Sequence, residues 1–461
     1  MRARWCARGV LLGVALSVYP SVRLLSQDTS AIDKGVRIGI IYRPGVRPGL
    51  VVLPGGARAL DSVRAIVARD LEYSDRFEMI TMPGEDSIHV STPPPARPGP
   101  VKPGTRAGPS LLALNYPLYQ ALGVDFAVQT TLAGDTTVAA VFDIAAGAMR
   151  RAIRAKLPPL VDRGFRLAVH RLSDQILQAM LGVPGIAATK VLFVSGGRLF
   201  MIDQDGAGLR QISSSDRQAM SPAWSADGRH FAYMEFYEGH GQLFVQDLAT
   251  GKRVSVVTTG SALDFTPAFS PDGKTLAFSR AIEEGTDIYT VNVRDNCCLQ
   301  RLTVGRFADN LSPTYSPDGQ RIAFVSTRAG LPQIYVMAAD GTDQQLFAPF
   351  DYGVTGASNA PEWSPDGQSV AFHRDVGGTL QVFVLDVRTR AVRQLTSVGR
   401  NEDPTWAPDS RHLAFISDRT GYRQLWIIDL ETGRIRPLLQ QSGARLPSWS
   451  PRIAETSVPN P

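Results

Sequence analysis

Short apolar runs alternate with polar turns along the second half of the chain, from about residue 187 to residue 451. The runs include residues 321–325, 333–337, 412–416 and 424–428, and Asp, Gly and Thr cluster between them. Runs of this length, bounded by turn-forming residues, are typical of β-strands. The pattern predicts an all-β region built from many short strands.

One motif recurs through this region: a proline, any residue, a large aromatic residue, and then a turn of the type Ser-Pro-Asp-Gly. Its six copies follow one another every 43 to 48 residues and begin at Pro222, Pro267, Pro313, Pro361, Pro404 and Pro447. The fifth copy ends in Asp-Ser instead of Asp-Gly, and the sixth stops at Pro451. A four-strand repeat of this length is one blade of a β-propeller. We expect the aromatic residue to start the innermost strand of each blade and to fill the wedge between neighbouring blades.

The two ends of the repeat region complement each other. Residues 191–213 supply three strands without an innermost strand, and residues 447–451 supply an innermost strand without the other three. Pairing them would complete a blade and remove exposed sheet edges. We therefore predict a six-bladed β-propeller over residues 187–451, followed by a tail at 452–461.

The first half of the chain has a mixed pattern, which predicts a smaller N-terminal α/β domain over residues 33–183. Strands are expected at 36–41 and 49–53 and a hairpin at 124–144, with helices at 61–73, 116–122 and 160–181. Asp61 is a candidate N-cap of the helix at 61–73. In the helix at 160–181, Val161 is expected to face the core, and Gly182 and Pro184 end the helix. Residues 83–109 are interpreted as a Pro-rich loop without a core of its own.

The N-terminus has the pattern of a secretory signal. Arg2, Arg4 and Arg8 precede a nine-residue apolar run at 10–18, which is followed by Tyr19 and Pro20. The run is shorter than the roughly 20 residues that span a bilayer. A buried N-terminal helix is the alternative. We predict a signal peptide at 1–26, and a processed chain that does not span a membrane.

Charge and cysteine content narrow the function classes. Four of the 48 basic residues of this 461-residue chain, but none of the 43 acidic ones, lie in residues 1–26. The processed chain is therefore nearly neutral despite a pI near 9.1, which argues against a nucleic-acid partner. After processing only the adjacent Cys297 and Cys298 remain, without metal-ligand spacing. We expect no cofactor and no metal site.

Two classes of enzyme also carry propellers of this type. A prolyl-peptidase-like hydrolase would need an α/β-hydrolase domain with a Gly-x-Ser-x-Gly elbow, and the sequence has no such elbow. A metal-dependent polysaccharide lyase would need several histidines at the channel, where only His240 is expected. His230 and His412 follow the turn motif and should lie at the opposite end of the propeller.

The whole arrangement resembles the TolB family of the Tol–Pal cell-envelope system. Besides the repeats, the likeness includes stretches at 66–77, 122–125, 173–176, 181–185 and 447–451. The resemblance implies a monomeric, non-enzymatic periplasmic protein that supports outer-membrane integrity and cell division. Its propeller would hold the peptidoglycan-associated lipoprotein Pal, and its N-terminal segment would engage TolA. Residues 27–36 precede the first predicted strand, so that segment is longer or altered here. An exported propeller that binds another wall component is the alternative.

Partner contacts are expected where the loops that lead into the innermost strands ring the central channel. By the resemblance, the positions before the second and third repeats face Pal, and these are Leu263, Thr266 and Leu311. A mixed polar and apolar rim suits a transient interface. The full set of candidate partner-binding residues is Leu263, Asp264, Thr266, Asp309, Asn310, Leu311, Asn359, Glu402, Asp403 and Arg445.

Overall fold

A computed structural model of the chain describes residues 47–54, 57–81, 114–214, 216–237, 240–256, 262–306, 308–348, 356–440 and 442–453. Within these ranges the predicted fold class is confirmed: a six-bladed β-propeller follows a smaller N-terminal α/β region. The predicted signal peptide, the strand at 36–41, the Pro-rich loop and most of the tail lie outside them. No helix in the described ranges is long and apolar enough to cross a membrane.

The N-terminal region is a five-stranded sheet with helices on both faces. Its strands lie in the order β2-β1-β3-β4-β5; they are β1 (Gly49–Val52), β2 (Glu78–Met79), β3 (Phe126–Ala133), β4 (Thr136–Asp143) and β5 (Ala148–Ala155). The α-helices are α1 (Asp61–Tyr73), α2 (Tyr116–Ala121) and α3 (Phe165–Leu181), and a 3-10 turn, Arg58–Leu60, precedes α1. Apolar side chains of α1 and α3, including Val67 and Ile176, pack on one face, and Tyr119 of α2 packs on the other.

Two sequence predictions about these helices are wrong. Asp61 is the first helical residue of α1 and caps nothing, because the 3-10 turn leads directly into the helix. The long helix begins at Phe165 rather than at residue 160, and Val161 is 94 % exposed. Residues 160–164 form turns instead, in which Asp162 N donates to Pro159 O. Gly182, with a φ of +72°, ends α3 as predicted.

The propeller consists of six antiparallel sheets of four strands each. The first blade contains β9 (Gln218–Trp224), β10 (His230–Tyr237), β11 (His240–Asp247) and β12 (Arg253–Ser255), and the second β13 (Leu263–Phe269), β14 (Thr275–Ile282), β15 (Gly285–Asn292) and β16 (Cys297–Arg301). The third contains β17 (Asn310–Tyr315), β18 (Arg321–Ser326), β19 (Gln333–Ala338) and β20 (Gln345–Leu346). The fourth contains β21 (Ser358–Trp363), β22 (Ser369–Val376), β23 (Thr379–Asp386) and β24 (Val392–Gln394), and the fifth β25 (Asn401–Trp406), β26 (His412–Ser417), β27 (Gln424–Asp429) and β28 (Ile435–Leu439).

The sixth blade joins two distant parts of the chain. It contains β6 (Lys190–Ser195), β7 (Arg198–Asp203) and β8 (Arg210–Gln211) from the start of the propeller. Its innermost strand, β29 (Ala444–Trp449), comes from the end and pairs with β6 in antiparallel register. Trp449 Nε1 also donates to Thr189 Oγ1 (2.9 Å). These contacts close the ring and cover both sheet edges at the seam.

The motif aromatic ends each innermost strand instead of starting it. The strands begin three or four residues before the motif proline and finish at the aromatic residue, so the residues expected in loops are part of the strands. The predicted wedge role agrees with the contacts. Trp406 Nε1 donates to Glu362 O (3.1 Å), and Trp224 Nε1 donates to Ser448 O (3.1 Å). Both bonds cross from one blade to the next.

Candidate functional site

The two ends of the propeller have different surroundings. Each innermost strand runs from the mouth of the central channel to the motif aromatic, so the turns that follow the aromatic residues lie at the far end. The N-terminal region docks at this turn end: Arg434, in the turn before β28, donates to Asp75 Oδ1 (3.1 Å). Arg166 of α3 donates to Asp203 Oδ2 (3.0 Å) and Asp205 Oδ2 (2.6 Å). Asp203 is the last residue of β7, and Asp205 lies in the turn after it. The channel mouth is at the opposite end from this contact.

The channel mouth is built from the same two positions in all six blades, the motif proline and the residue before it. The residue before proline has a positive φ of 47° to 53° in every blade, and the innermost strand shifts register there. Proline has no N–H for the sheet ladder, which accounts for a bulge at this point. The pairs surround a cavity of about 130 Å³, and the residues before proline are Ser221, Thr266, Ser312, Ala360, Asp403 and Leu446.

Hydrogen bonds between neighbouring blades hold this ring. Ser312 N donates to Ser279 Oγ of the preceding blade (3.0 Å). Asp403 N donates to His373 Nδ1 (3.1 Å), and Leu446 N donates to Asp403 Oδ2 (3.4 Å). Burial lowers the pKa of His373 to about 4, so its imidazole is neutral at pH 7 and can accept this bond.

Two carboxyl groups at the mouth have raised pKa values. Burial raises the pKa of Glu362 to about 7, and burial together with the neighbouring Glu402 raises that of Asp403 to about 6. Such values suit acid–base chemistry in some enzymes. Here Glu362 Oε1 accepts from Thr405 Oγ1 (3.1 Å) and Trp406 N (3.0 Å). The carboxyl groups of Glu362 and Asp403 therefore link blades of the propeller.

A groove of about 680 Å³ lies beside the channel mouth, between the fifth, sixth and first blades. Met220, which is 42 % exposed, belongs to its apolar lining. Its apolar side chains are Val194, Ala219, Met220 and Leu446, and its charged side chains are Glu402, Asp403, Arg423 and Arg445. A mixture of this kind is characteristic of transient protein interfaces.

Three of the sequence-predicted residues meet at this groove: Glu402, Asp403 and Arg445. Arg400 Nε and Arg423 Nη2 contact the Glu402 carboxylate (3.0 and 3.3 Å), which compensates its charge. Arg445 is exposed. Five further candidates lie partly exposed at the same end of the second, third and fourth blades, and they are Leu263, Thr266, Asp309, Leu311 and Asn359.

The remaining two candidates are buried within the blades. Asp264 is 1 % exposed and lies 3.5 Å from Arg280. Asn310 is fully buried, where its amide donates to Asp287 (2.9 Å) and accepts from Arg328 (3.0 Å). Both side chains stabilise the rim from inside.

Sequence reasoning missed Arg423 and Glu362. Arg423 lies immediately before β27, 22 residues from its groove neighbour Arg445, and no motif marks it. Glu362 could have been singled out from the sequence, because it is the only charged residue between the proline and the aromatic of the six motifs. His240 begins β11, and its side chain lies outside the described residues.

A second polar centre lies where α3 meets the propeller. His170 Nδ1 contacts Asp70 Oδ2 of α1 (2.8 Å), and its Nε2 lies 3.7 Å from Asp203 Oδ2. Burial alone would lower the pKa of His170, but the bonds to Asp203 and Asp70 raise it to about 9. The imidazolium thus bridges a carboxylate of the N-terminal region and one of the propeller.

A matching centre lies at the turn of the fifth blade. His412 Nδ1 contacts Asp409 Oδ2 (2.8 Å), and its Nε2 lies 3.3 Å from Asp75 Oδ2. Arg411 pairs with Asp429 beside it (2.5 and 2.7 Å). Three ligand atoms converge in each centre as a metal site would require, but protein cations already neutralise these carboxylates. We interpret both centres as ion-pair networks that attach the N-terminal region.

Comparisons with known proteins agree with this fold. The family model of the TolB β-propeller domain matches residues 177–351 and 352–456. The Tol-Pal system protein TolB of Alcanivorax borkumensis is 27 % identical over 59 % of this chain and 60 % of its own length. That of Francisella tularensis subsp. mediasiatica is 32 % identical over 38 % of this chain and 42 % of its own length. The chain therefore spans less than two thirds of these relatives.

A solved structure extends the comparison beyond the propeller. The crystal structure of TolB from Acinetobacter baumannii matches with a TM-score of 0.72 and 24 % sequence identity. The match covers 88 % of this chain and 98 % of that chain. At this identity the likeness establishes a shared fold, including the N-terminal region.

Proposed function

Because the chain belongs to the TolB β-propeller family, we propose that it is a non-enzymatic adaptor of a Tol–Pal system in the periplasm. It binds a Pal-like peptidoglycan-associated lipoprotein through the channel-mouth face of the propeller and a TolA-like protein through its N-terminal segment. In this role it supports outer-membrane integrity and cell division. A secretory signal at residues 1–26 would deliver it to the periplasm.

The observation that carries the Pal proposal is the groove beside the channel mouth. It lies at the end of the propeller opposite the N-terminal region, so a partner can approach it without displacing that region. Met220 offers an adaptable apolar contact, and Arg445 offers an exposed cation at the edge. The half-exposed residues of the second to fourth blades, Leu263, Thr266, Asp309, Leu311 and Asn359, would extend the contact around the mouth.

The adaptor role also fits the chemistry of the mouth. The carboxyl groups with raised pKa values, Glu362 and Asp403, accept hydrogen bonds from the next blade. In a catalytic acid or base, those carboxyl oxygen atoms would have to contact a substrate instead. The hydrogen bonds between blades therefore favour a structural role for both carboxyl groups in a rigid docking face.

Binding of the purified chain to the soluble domain of the Pal-like lipoprotein from the same organism tests this proposal. Arg445→Glu should weaken binding about tenfold, because it reverses a charge at the edge of the contact. Lys274→Glu is the matched control, since Lys274 is an exposed cation in a turn at the far end. Equal affinity of both variants, or capture of peptidoglycan fragments without the lipoprotein, would refute the face assignment.

The TolA proposal needs a separate experiment. Deleting residues 27–36 should abolish binding to the TolA-like protein and leave Pal binding intact, because the two contacts use different parts of the chain. Strand addition by an N-terminal segment is a common mode of peptide recognition. Undiminished TolA binding by the truncated chain would show that another region makes this contact.

A further inference from the structure

The outer strand of the N-terminal sheet, β5, has an open edge in the described part of the chain. β5 is the last strand of the sheet, and β4 is the neighbour with which it pairs. Of its eight residues only Ile153 is buried, and Met149 is 46 % exposed. An edge of this kind presents backbone N–H and C=O groups that can pair with another extended chain.

A groove of about 480 Å³ runs along this edge. Its first wall is formed by four consecutive residues of β5, Arg151 to Arg154. Successive side chains of a strand point to opposite faces of the sheet, so a cavity that touches four in a row must follow the strand edge. The second wall is formed by Gln175 and Gln178 of α3, with Pro184, Gly185 and Arg452 behind them.

The two arginines of β5 lie on opposite faces of this edge. Arg151 is opposite Val141 in the register, and Val141 packs in the helix-side core, so Arg151 lies on the helix side. Arg154, three residues on, lies on the other face. Both are exposed, and neither forms an ion pair with a residue that the structure describes.

The one acidic residue of the groove's lining, Asp174, forms no ion pair with Arg151 or Arg154 in the described part of the chain. Its carboxylate accepts hydrogen bonds from Ala187 N (2.8 Å) and Ala188 N (3.0 Å) and attracts Arg452. Arg452, whose Nε donates to Gly185 O (2.6 Å), is therefore compensated by Asp174. Two arginines on outer strands of the propeller, Arg253 and Arg301, differ because they pair with carboxylates of their own blades.

We propose that the β5 edge binds an extended, acidic segment of a partner protein, which adds to the sheet as a further strand. The backbone of the segment would pair with β5. Two acidic side chains three positions apart would lie on opposite faces, where one meets Arg151 and the other meets Arg154. This site is separate from the channel-mouth face of the propeller.

Calorimetric titration with a synthetic peptide tests the proposal on the full processed chain. The probe is an eight-residue peptide of alternating Thr and Val, with Glu at its third position and Asp at its sixth. We expect it to bind, and we expect no binding of a peptide with Lys at both positions. A peptide with Pro at its centre should also fail, because proline removes a donor from the pairing.

Charged residues on a sheet edge can also serve only to prevent pairing between copies of the same chain. Variants of Arg151 and Arg154 distinguish this role from recognition of an acidic peptide. Arg151→Glu combined with Arg154→Glu should weaken peptide binding at least about tenfold. The double Gln variant should weaken it less. Arg393→Glu, at an exposed arginine on the outer strand β24 of the fourth blade, should leave binding unchanged.

Several results would overturn the proposal. They are equal binding by the double Glu variant, equal binding of the Lys peptide, and equal binding of the Pro peptide. Binding of phosphatidylglycerol vesicles that depends on Arg151 and Arg154, without peptide binding, would assign the arginines to an anionic lipid surface instead.

Discussion

Replacing His412 with glutamine should weaken the attachment of the N-terminal region and flatten the pH dependence of stability. The imidazole lies between Asp409 (2.8 Å) and Asp75 (3.3 Å), and Asp429, Arg411 and Arg434 complete its charged surroundings. Burial alone would lower the pKa of His412, but the attraction of Asp409 and the hydrogen bonds to both aspartates raise it to about 9.

The size of the effect follows from this pKa. A rise from 6.5 to about 9 corresponds to about 3 kcal/mol of stabilisation by the bound proton. The stabilisation is complete below pH 6.5, the ordinary pKa of a histidine, and it is lost as the pH rises through about 9, the pKa of His412 in the folded chain. Glutamine leaves the buried carboxylates without their shared cation, and breaking a buried ion pair in this way costs about 3–5 kcal/mol.

Urea unfolding between about pH 6 and about pH 10 measures this effect. The free energy of unfolding of the wild-type chain should fall over this range, whereas the His412→Gln curve should start lower and fall less. His230→Gln is the matched control: His230 has the same place in the turn of the first blade, but its side chain is 42 % exposed. An unchanged pH slope for His412→Gln, or equal flattening by His230→Gln, would show that the buried imidazolium of His412 is not the source of the pH dependence.

Two further substitutions test the closing blade and the channel mouth. Trp449→Ala removes the buried indole and its bond to Thr189, which should cost about 3–5 kcal/mol in thermal unfolding; a loss of less than about 1 kcal/mol would contradict the role of Trp449 in closing the ring. Glu362→Gln should raise stability at pH 8 and leave it unchanged at pH 4. The pKa of Glu362 is raised to about 7, so the folded chain favours the protonated carboxyl group. The chain therefore loses stability as the pH rises from the ordinary pKa of a glutamate through 7. Equal melting temperatures of wild type and Glu362→Gln at both pH values would contradict this reasoning.

The fold could be predicted because its determinants are local and repeated. Each blade carries its own proline and aromatic residue, and four of the six also carry the Asp-Gly turn, so repeated copies support one interpretation. The strand β5 was missed because its pairing with β4 shifts register at Arg150 and Arg151. The two consecutive arginines interrupt the apolar–polar alternation by which a strand is recognised in a sequence. The start of α3 was placed too early because apolar spacing continues to Val161, whereas the backbone forms turns there.

The candidate site was only partly predictable, because burial depends on partners that sequence spacing does not reveal. Asp264 has the same local setting as an exposed rim residue, but Arg280 on the neighbouring strand compensates its charge inside the blade. The centre at His412 joins Asp75 across 337 positions. No periodicity in the sequence connects residues that far apart.

Photo-crosslinking can show whether the channel-mouth face of the propeller binds a Pal-like lipoprotein, as we propose. A photoreactive amino acid in place of Arg445 would report on the groove, and one in place of Lys274 would report on the far end. We expect the lipoprotein to crosslink to position 445 and not to position 274. Crosslinks at position 274, with none at position 445, would show that the lipoprotein binds the far end of the propeller instead.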